Sequence, residues 1–203
     1  MGSAASVLGP ESQQFAVHVK GLEVPAWDPR GRRCMGLSYA TADVGASHLR
    51  GWPGTAAPPD ETAVPLVQSL IRSRDEKTLK DSLIVCHFTY RLPLTLSQMV
   101  RLLNAATGKS YTDESVLTVG RRIDTLIRMF NLREGISRTD DSLPPRLWEP
   151  QVNGPRAGMS SFVDRADFEA SLDRYYELRG WDSDGRPTQQ TLEELGLDSL
   201  CSH

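Results

Sequence analysis

Apolar residues along this chain recur mostly at three- and four-residue intervals, the spacing of one face of a helix. From Glu61 onward Val64, Val67, Leu70 and Ile71 fall on one face, and Leu79, Leu83 and Cys86 on another. Thr95-Leu96-Ser97-Gln98 has the form of a capping box, in which the Thr oxygen and the Gln amide satisfy orphan backbone groups in turn. It opens a helix with Leu96, Met99, Val100 and Leu103 inward, stopped by Gly108. Thr112, followed by Asp113 and Glu114, starts the next helix with two acids on its positive end. That helix is expected to bury Val116, Val119, Ile123, Leu126, Ile127 and Phe130 and to stop near Gly135. Phe168, Leu172, Tyr175 and Tyr176 mark a further helix closing at Gly180, and a short last one runs from Thr188 to Gly196.

The N-terminal part follows other rules. Phe15 to Lys20 alternates apolar and polar, the period of a short half-buried strand. Pro25, Asp28, Pro29 and Gly31 then impose a turn. Gly36 to His48 is rich in small residues, which lets a backbone approach a neighbour or ligand closely. Gly51 to Asp60 reads as a surface loop, and Pro144, Pro145, Pro150 and Pro155 hold an irregular connection. No internal repeat and no strand–helix–strand rhythm is present. The expected class is mainly α, a multi-helical domain over residues 15–203, with a short strand near residues 15–20 and a flexible N-terminal tail over residues 1–14.

Composition narrows the functional classes. With 39% hydrophobic and 24% charged residues among 203, the chain has neither a disordered nor a membrane composition. No apolar run approaches the roughly 18 residues that span a bilayer, and the start resembles no secretory signal, so a cytoplasmic location is expected. A net charge of -3 lacks the basic excess of a nucleic-acid surface. Cys34, Cys86 and Cys201 are too few and too scattered for a disulfide framework, and one short of the four thiolates of an iron–sulfur cubane.

Candidate chemistry concentrates in Asp81-Ser82-Leu83-Ile84-Val85-Cys86-His87-Phe88, where a carboxylate, a thiol and an imidazole interrupt an apolar run. Taken residue by residue, Cys86 is either a small core hydrophobe or a ligand, Asp81 a solvated charge or a hydrogen-bond acceptor, and His48 a surface histidine or a proton donor. If the helix continued, His87 would point about 100° round from Cys86, which disfavours a shared metal. Trp181 and the two tyrosines before it read as core or interface anchors. Arg121-Arg122 and Arg30 to Arg33 read as short basic patches, ordinarily solvated, with phosphate contact as the weaker alternative.

Three stretches together resemble the C-terminal part of the tungsten-containing aldehyde ferredoxin oxidoreductases. The first runs from His18 to Gly31 and on through Gly36-Leu-Ser-Tyr-Ala-Thr41 to Gly45-Ala-Ser-His-Leu-Arg50. The second, Asp81-Ser-Leu-Ile-Val-Cys86, is similar to the family's Asp-x-x-Gly-Leu-Cys motif. The third comprises Gly120-Arg-Arg-Ile-Asp124, Phe130 to Gly135, Asp140 to Pro144, and Arg174-Tyr-Tyr-Glu-Leu-Arg-Gly-Trp181. The resemblance implies that Cys86 is a ligand of a [4Fe-4S] cluster, that Asp81 hydrogen-bonds a pterin of the tungsten–bispterin (molybdopterin-type) cofactor, and that Arg50 is a basic residue near that pterin. It implies that His48 lies beside the tungsten as proton donor or substrate hydrogen-bonder. It implies oxidation of aldehydes to carboxylic acids with electrons passed to ferredoxin. Ile84 departs from the motif's glycine, and its branched side chain is expected to crowd the approach of pterin or cluster. The family's N-terminal pterin-binding domain and CxxCxxxC segment have no counterpart in the sequence. The chain is therefore expected to work with those upstream domains or a partner subunit. The competing readings are a non-catalytic helical remnant used as a protein-interaction module, and a metal-binding regulator using Cys86 and His87.

Overall fold

A computed structural model describes residues 2–53, 61–88 and 94–201, and within these the chain is an assembly of α-helices with one two-stranded sheet. The N-terminal residues read as a tail carry helices α1 (Gly2–Leu8) and α2 (Pro10–Gln13). Strand β1 (His18–Val19) pairs antiparallel with β2 (Leu22–Glu23), Val19 opposite Leu22. The strand expected over residues 15–20 is thus two residues long, turned back at Lys20 and Gly21, which both take positive φ. Helices α3 (Arg33–Thr41), α4 (Val67–Ser82), α5 (Leu96–Thr107), α6 (Asp113–Arg133), α7 (Arg165–Arg179) and α8 (Gln189–Leu195) follow. Of the expected Gly51–Asp60 loop, residues 54–60 lie outside the described residues.

The start signals act where the sequence puts them. Thr95 and Gln98 form a reciprocal capping box on α5, Thr112 forms one with Ser115 on α6, and Thr188 accepts from the Thr191 amide on α8. The stop signals repeat one geometry. At α6, α7 and α8 a left-handed glycine (Gly135, Gly180, Gly196) follows the last turn. Its amide donates three residues back and the next amide five back, as in Gly180 to Glu177 (3.0 Å) and Trp181 to Tyr176 (2.9 Å).

The central pair is α4 and α6. Gly120 makes their contact possible, because a Cβ there would stand 2.5 Å from the Asp75 carbonyl oxygen. The main core joins Met35, Leu37 and Tyr39 of α3, Val67, Leu70 and Ile71 of α4, and Phe168, Leu172, Tyr175 and Tyr176 of α7. A smaller core holds Leu79, Leu96, Met99, Val100 and Val116, while Leu192, Leu195 and Leu197 form a third.

Two expectations about faces fail. On α6, Val116 is buried but Leu126 and Phe130 are exposed, and the helix turns Thr125 and Arg128 inward instead. The inward arginine meets a buried charge network that an apolar periodicity does not reveal. Asp141 forms ion pairs with Lys20 (2.6 Å) and Arg128 (2.9 Å) and accepts from the Tyr176 hydroxyl (2.5 Å). Arg179, wholly buried, spans Asp75 (2.6 Å) and Asp124 (2.7 Å). Burying these charges is tolerable only because each meets opposite charge. The other failure is at the end of α4. The helix stops at Ser82, so Cys86 lies beyond it and shares no helical face with Leu79.

Candidate functional site

The candidate residues gather around the C-terminal half of α4 and the segment 43–53 laid against it. On α4, Ser73, Glu76, Lys77, Lys80 and Asp81 recur at the three- and four-residue steps of one face. The two lysines sit in the last turns, where the negative end of the helix dipole favours cations. Side chains of the surrounding helices bind the segment through its backbone. Ser38 donates to the Gly51 carbonyl (2.7 Å), Ser73 to that of Trp52 (2.7 Å), and Asn131 to that of Asp43 (2.9 Å). Arg74 reaches the carbonyl of Arg50 at 3.3 Å. These anchors fix the position from which His48, Arg50 and Trp52 extend.

Two neighbouring cavities result, and Lys77 lines both. The smaller, of about 230 Å³, holds Asp43, Arg50, Asp81 and Asp124. Arg50 pairs with Asp43 (3.2 Å) and with Asp81 (3.9 Å), while Asp81 also accepts from Lys77 one turn earlier. Asp81 is thus neither the lone solvated charge nor an unengaged acceptor, and a cation flanks each of its oxygens. The larger cavity, of about 470 Å³, is lined by Trp27, His48, Trp52, Lys80, His87 and Phe88 among others. Trp27 meets Trp52 edge-to-face at 5.0 Å, and His48 meets Trp52 at 6.4 Å. Arg32 lies over the Trp52 ring at 5.3 Å. Burial, then the positive charge of Lys77, push the His87 imidazole below its ordinary value.

Between the helix and Cys86 comes a turn of the same geometry that ends α6, α7 and α8. The Ile84 amide donates to Asp81 (3.0 Å) and the Val85 amide to Lys80 (2.9 Å). Here, however, the left-handed position is occupied by isoleucine, at φ 57°. Only glycine takes that conformation without strain, which accounts physically for a glycine at this place in the motif this stretch resembles. The Ile84 side chain is 93% exposed. Within this chain its cost is in the backbone, and the exposed side chain lies two residues before the exposed Cys86, where the expected crowding of a pterin or cluster would act in the assembly.

The structure thus joins Arg50 and Asp81 directly and puts His48 in the adjoining cavity. Cys86 is exposed just past the turn and lines neither cavity. Sequence reasoning missed Lys77, Lys80, Trp27 and Trp52 and kept His87 only as a metal partner of Cys86 in the regulator reading. The stripe of polar residues at helical spacing on α4 was the available signal for the lysines. Nothing local announces the tryptophans, which come from loops 25 residues apart.

The donor set bears on what such a site can hold. Among the described residues no group of three or more His, Cys, Asp or Glu is placed to bind a metal ion. A cubane needs four thiolates, and Cys86 offers one, directed to the exterior. A complete cluster does not fit this chain, whereas one ligand of a cluster finished by other residues does. Cys34 offers no second thiolate, being wholly buried in α3 with its thiol pushed up to about 12 by burial. No helix among the described residues is long and apolar enough to cross a membrane.

Comparison with known proteins places the chain in a family. The family model for aldehyde ferredoxin oxidoreductase, domains 2 & 3, matches residues 1–197. The chain is 38% identical over 195 residues to the tungsten-containing aldehyde ferredoxin oxidoreductase of Pyrococcus furiosus, covering 91% of this chain and 31% of that one. Identity to the enzyme of the same name from Thermococcus kodakarensis is also 38% over 195 residues, with the same coverage. An aliphatic sulfonate oxidoreductase, WOR-like subunit, of Pyrococcus furiosus is 32% identical over 201 residues, 95% of this chain and 30% of that one. The chain therefore spans about a third of the length of the curated relatives it matches. Among solved structures, the active site complex BamBC of benzoyl coenzyme A reductase superposes with a TM-score of 0.72 at 19% identity. The match covers 97% of this chain and 35% of that one, a likeness of fold alone. By the family model and by its identity to these enzymes, this chain belongs to the aldehyde ferredoxin oxidoreductase family and corresponds to its C-terminal region.

Proposed function

We propose that the chain is the C-terminal portion of an enzyme oxidising aldehydes to carboxylic acids, working together with the upstream portion its relatives contain, on the same or a separate polypeptide. The observation that carries this reading is the juxtaposition, at one end of α4, of the Arg50–Asp81 pair, His48 in the adjoining cavity and the exposed thiol of Cys86. Cys86 supplies one thiolate to a [4Fe-4S] cluster whose other ligands come from outside this chain. Asp81, held by Lys77 and Arg50, accepts hydrogen bonds from a pterin N–H, with Arg50 setting its orientation. His48, held beside Trp52, donates a proton or hydrogen bond to the substrate oxygen. When bound, the tungsten–bispterin group supplies the oxidation and the cluster passes electrons on to ferredoxin. The cytoplasm is the proposed location.

The test is to purify the chain anaerobically with and without the upstream region and measure iron, tungsten and the visible spectrum. The proposal expects both metals and cluster absorbance only in the assembly, with iron lost in the Cys86→Ser variant. A folded assembly without metal would overturn it in favour of the non-catalytic interaction module. One equivalent of zinc or iron on the isolated chain would favour the regulator.

A further inference from the structure

The larger cavity carries more information than a place for His48. Its walls are rings at steep mutual angles: Trp27 against Trp52 at 86°, His48 against Trp52 at 78°, and His87 against Phe88 at 71°. Such an array presents both faces and edges, which is what a planar aromatic guest needs for offset stacking and edge contacts. A volume of about 470 Å³ falls within the range of small-molecule sites.

The side of the cavity formed by α4 is cationic. Lys77 and Lys80 both line it. Lys77 is engaged by Asp81, and the Glu76 carboxylate is turned to Arg72 at 3.1 Å. Among the described residues no carboxylate pairs with Lys80, so its ammonium is the charge left for a guest. The Ser73 hydroxyl is committed to the Trp52 carbonyl and helps fix the ring rather than the guest. An aromatic wall facing an uncompensated ammonium selects for a flat ring bearing an anionic group.

We propose that this cavity binds an aromatic carboxylate, its ring among Trp27, Trp52 and Phe88 and its carboxylate at Lys80. The proposal rests on the reading above and deepens it, since an aromatic acid is the oxidised counterpart of an aromatic aldehyde at the cavity that holds His48. A neutral aromatic or a saturated acid satisfies only half of the site. The attraction to Lys80 is partly screened, so binding weakens as salt rises.

The experiment is calorimetric titration of the unaltered chain with benzoate, with the neutral isostere benzamide, and with cyclohexanecarboxylate. Benzoate is expected to bind saturably and each analogue to bind at least about ten-fold more weakly. Lys80→Gln is expected to weaken benzoate about ten-fold, and Lys80→Arg to retain it. Trp27→Leu, at a half-exposed ring, is expected to weaken benzoate and cyclohexanecarboxylate unequally, the aromatic acid losing more. Absence of saturable binding, equal binding of benzamide and benzoate, or an unchanged affinity in folded Lys80→Gln would each overturn the proposal. If Lys80→Gln fails to fold, the comparison of acid with amide on the unaltered chain decides. Metal content of the assembly is read separately. Benzoate binding without metal uptake sinks the enzymatic reading and leaves the pocket, whereas metal uptake without benzoate binding sinks the pocket alone.

Discussion

The amide of Val85 donates to the carbonyl of Lys80 at 2.9 Å, and this bond closes the end of α4 around a left-handed Ile84. The same two residues bracket the proposed site. Lys80 faces the aromatic cavity, and Val85 leads directly to Cys86. The turn that positions both is therefore built on the one non-glycine residue among the four helix ends of this type in the described residues.

Replacing Ile84 by glycine should stabilise the chain. A β-branched residue in the left-handed region costs about 1–2 kcal/mol, and the gain is reduced by roughly 0.4–1 kcal/mol because glycine loosens the unfolded chain. No buried packing is lost, since Ile84 is exposed. A higher urea midpoint with an unchanged slope would bear this out. A lower midpoint would mean the side chain makes a stabilising contact that its exposure does not suggest.

Gly120→Ala should do the opposite. The added methyl would meet the Asp75 backbone where α4 and α6 touch, and backbone yields only by moving a helix. A loss of about 1–3 kcal/mol is expected, with the same readout. Unchanged stability would show that the two helices can separate without cost.

Arg179→Met should be among the most damaging single changes. It leaves the buried Asp75 and the partly buried Asp124 without the guanidinium they share, a defect of about 3–5 kcal/mol. Arg179→Lys should rescue little, because one ammonium does not reproduce a fork that reaches two carboxylates. Full recovery in the lysine variant would rule out this geometric account.

Asp81→Asn should leave the isolated chain nearly as stable as before. Asp81 and Arg50 are both substantially exposed, and such pairs are worth about 0–1 kcal/mol. Any larger loss in metal or pterin content of the assembly would then reflect binding and not folding. A drop of several kcal/mol in the isolated chain would remove that separation.

Alkaline stability should report on Cys34. Its thiol ionises near 9 when unfolded, but burial pushes it up to about 12 in the folded chain. Between those values the native state holds a proton that the unfolded state has released. The stabilisation is thus fully present below pH 9 and declines as pH rises toward 12, by about 1.4 kcal/mol per pH unit at most. Cys34→Ala should flatten that part of the curve. In the native chain a thiol reagent should label Cys86 and spare Cys34, as peptide mapping would show.

Much of the fold was legible in the residues themselves. Thr95, Thr112 and Thr188 start their helices and Gly108, Gly135, Gly180 and Gly196 end them, because capping and left-handed turns depend on a few neighbours only. Family membership was legible as well, through stretches spread along the chain. The departure at Ile84 was legible too, but not its left-handed φ or its exposure, which the turn closing α4 decides.

The sequence by itself determined where α5, α6 and α8 begin and where α5 to α8 stop, because local hydrogen-bond satisfaction is settled within one or two turns. By contrast, α1 to α3 and the end of α4 carried no such glycine or capping signal. Only the tertiary structure decided which charges are buried and which rings meet. Lys20, Arg128 and Asp141 are far apart in the chain, and nothing local distinguishes them from solvated charges until packing excludes water around all three. The same holds for the cavity. Trp27 and Trp52 become one wall, and Lys80 its cation, only because anchors from α3, α4 and α6 draw the segment carrying His48 against the last turns of α4.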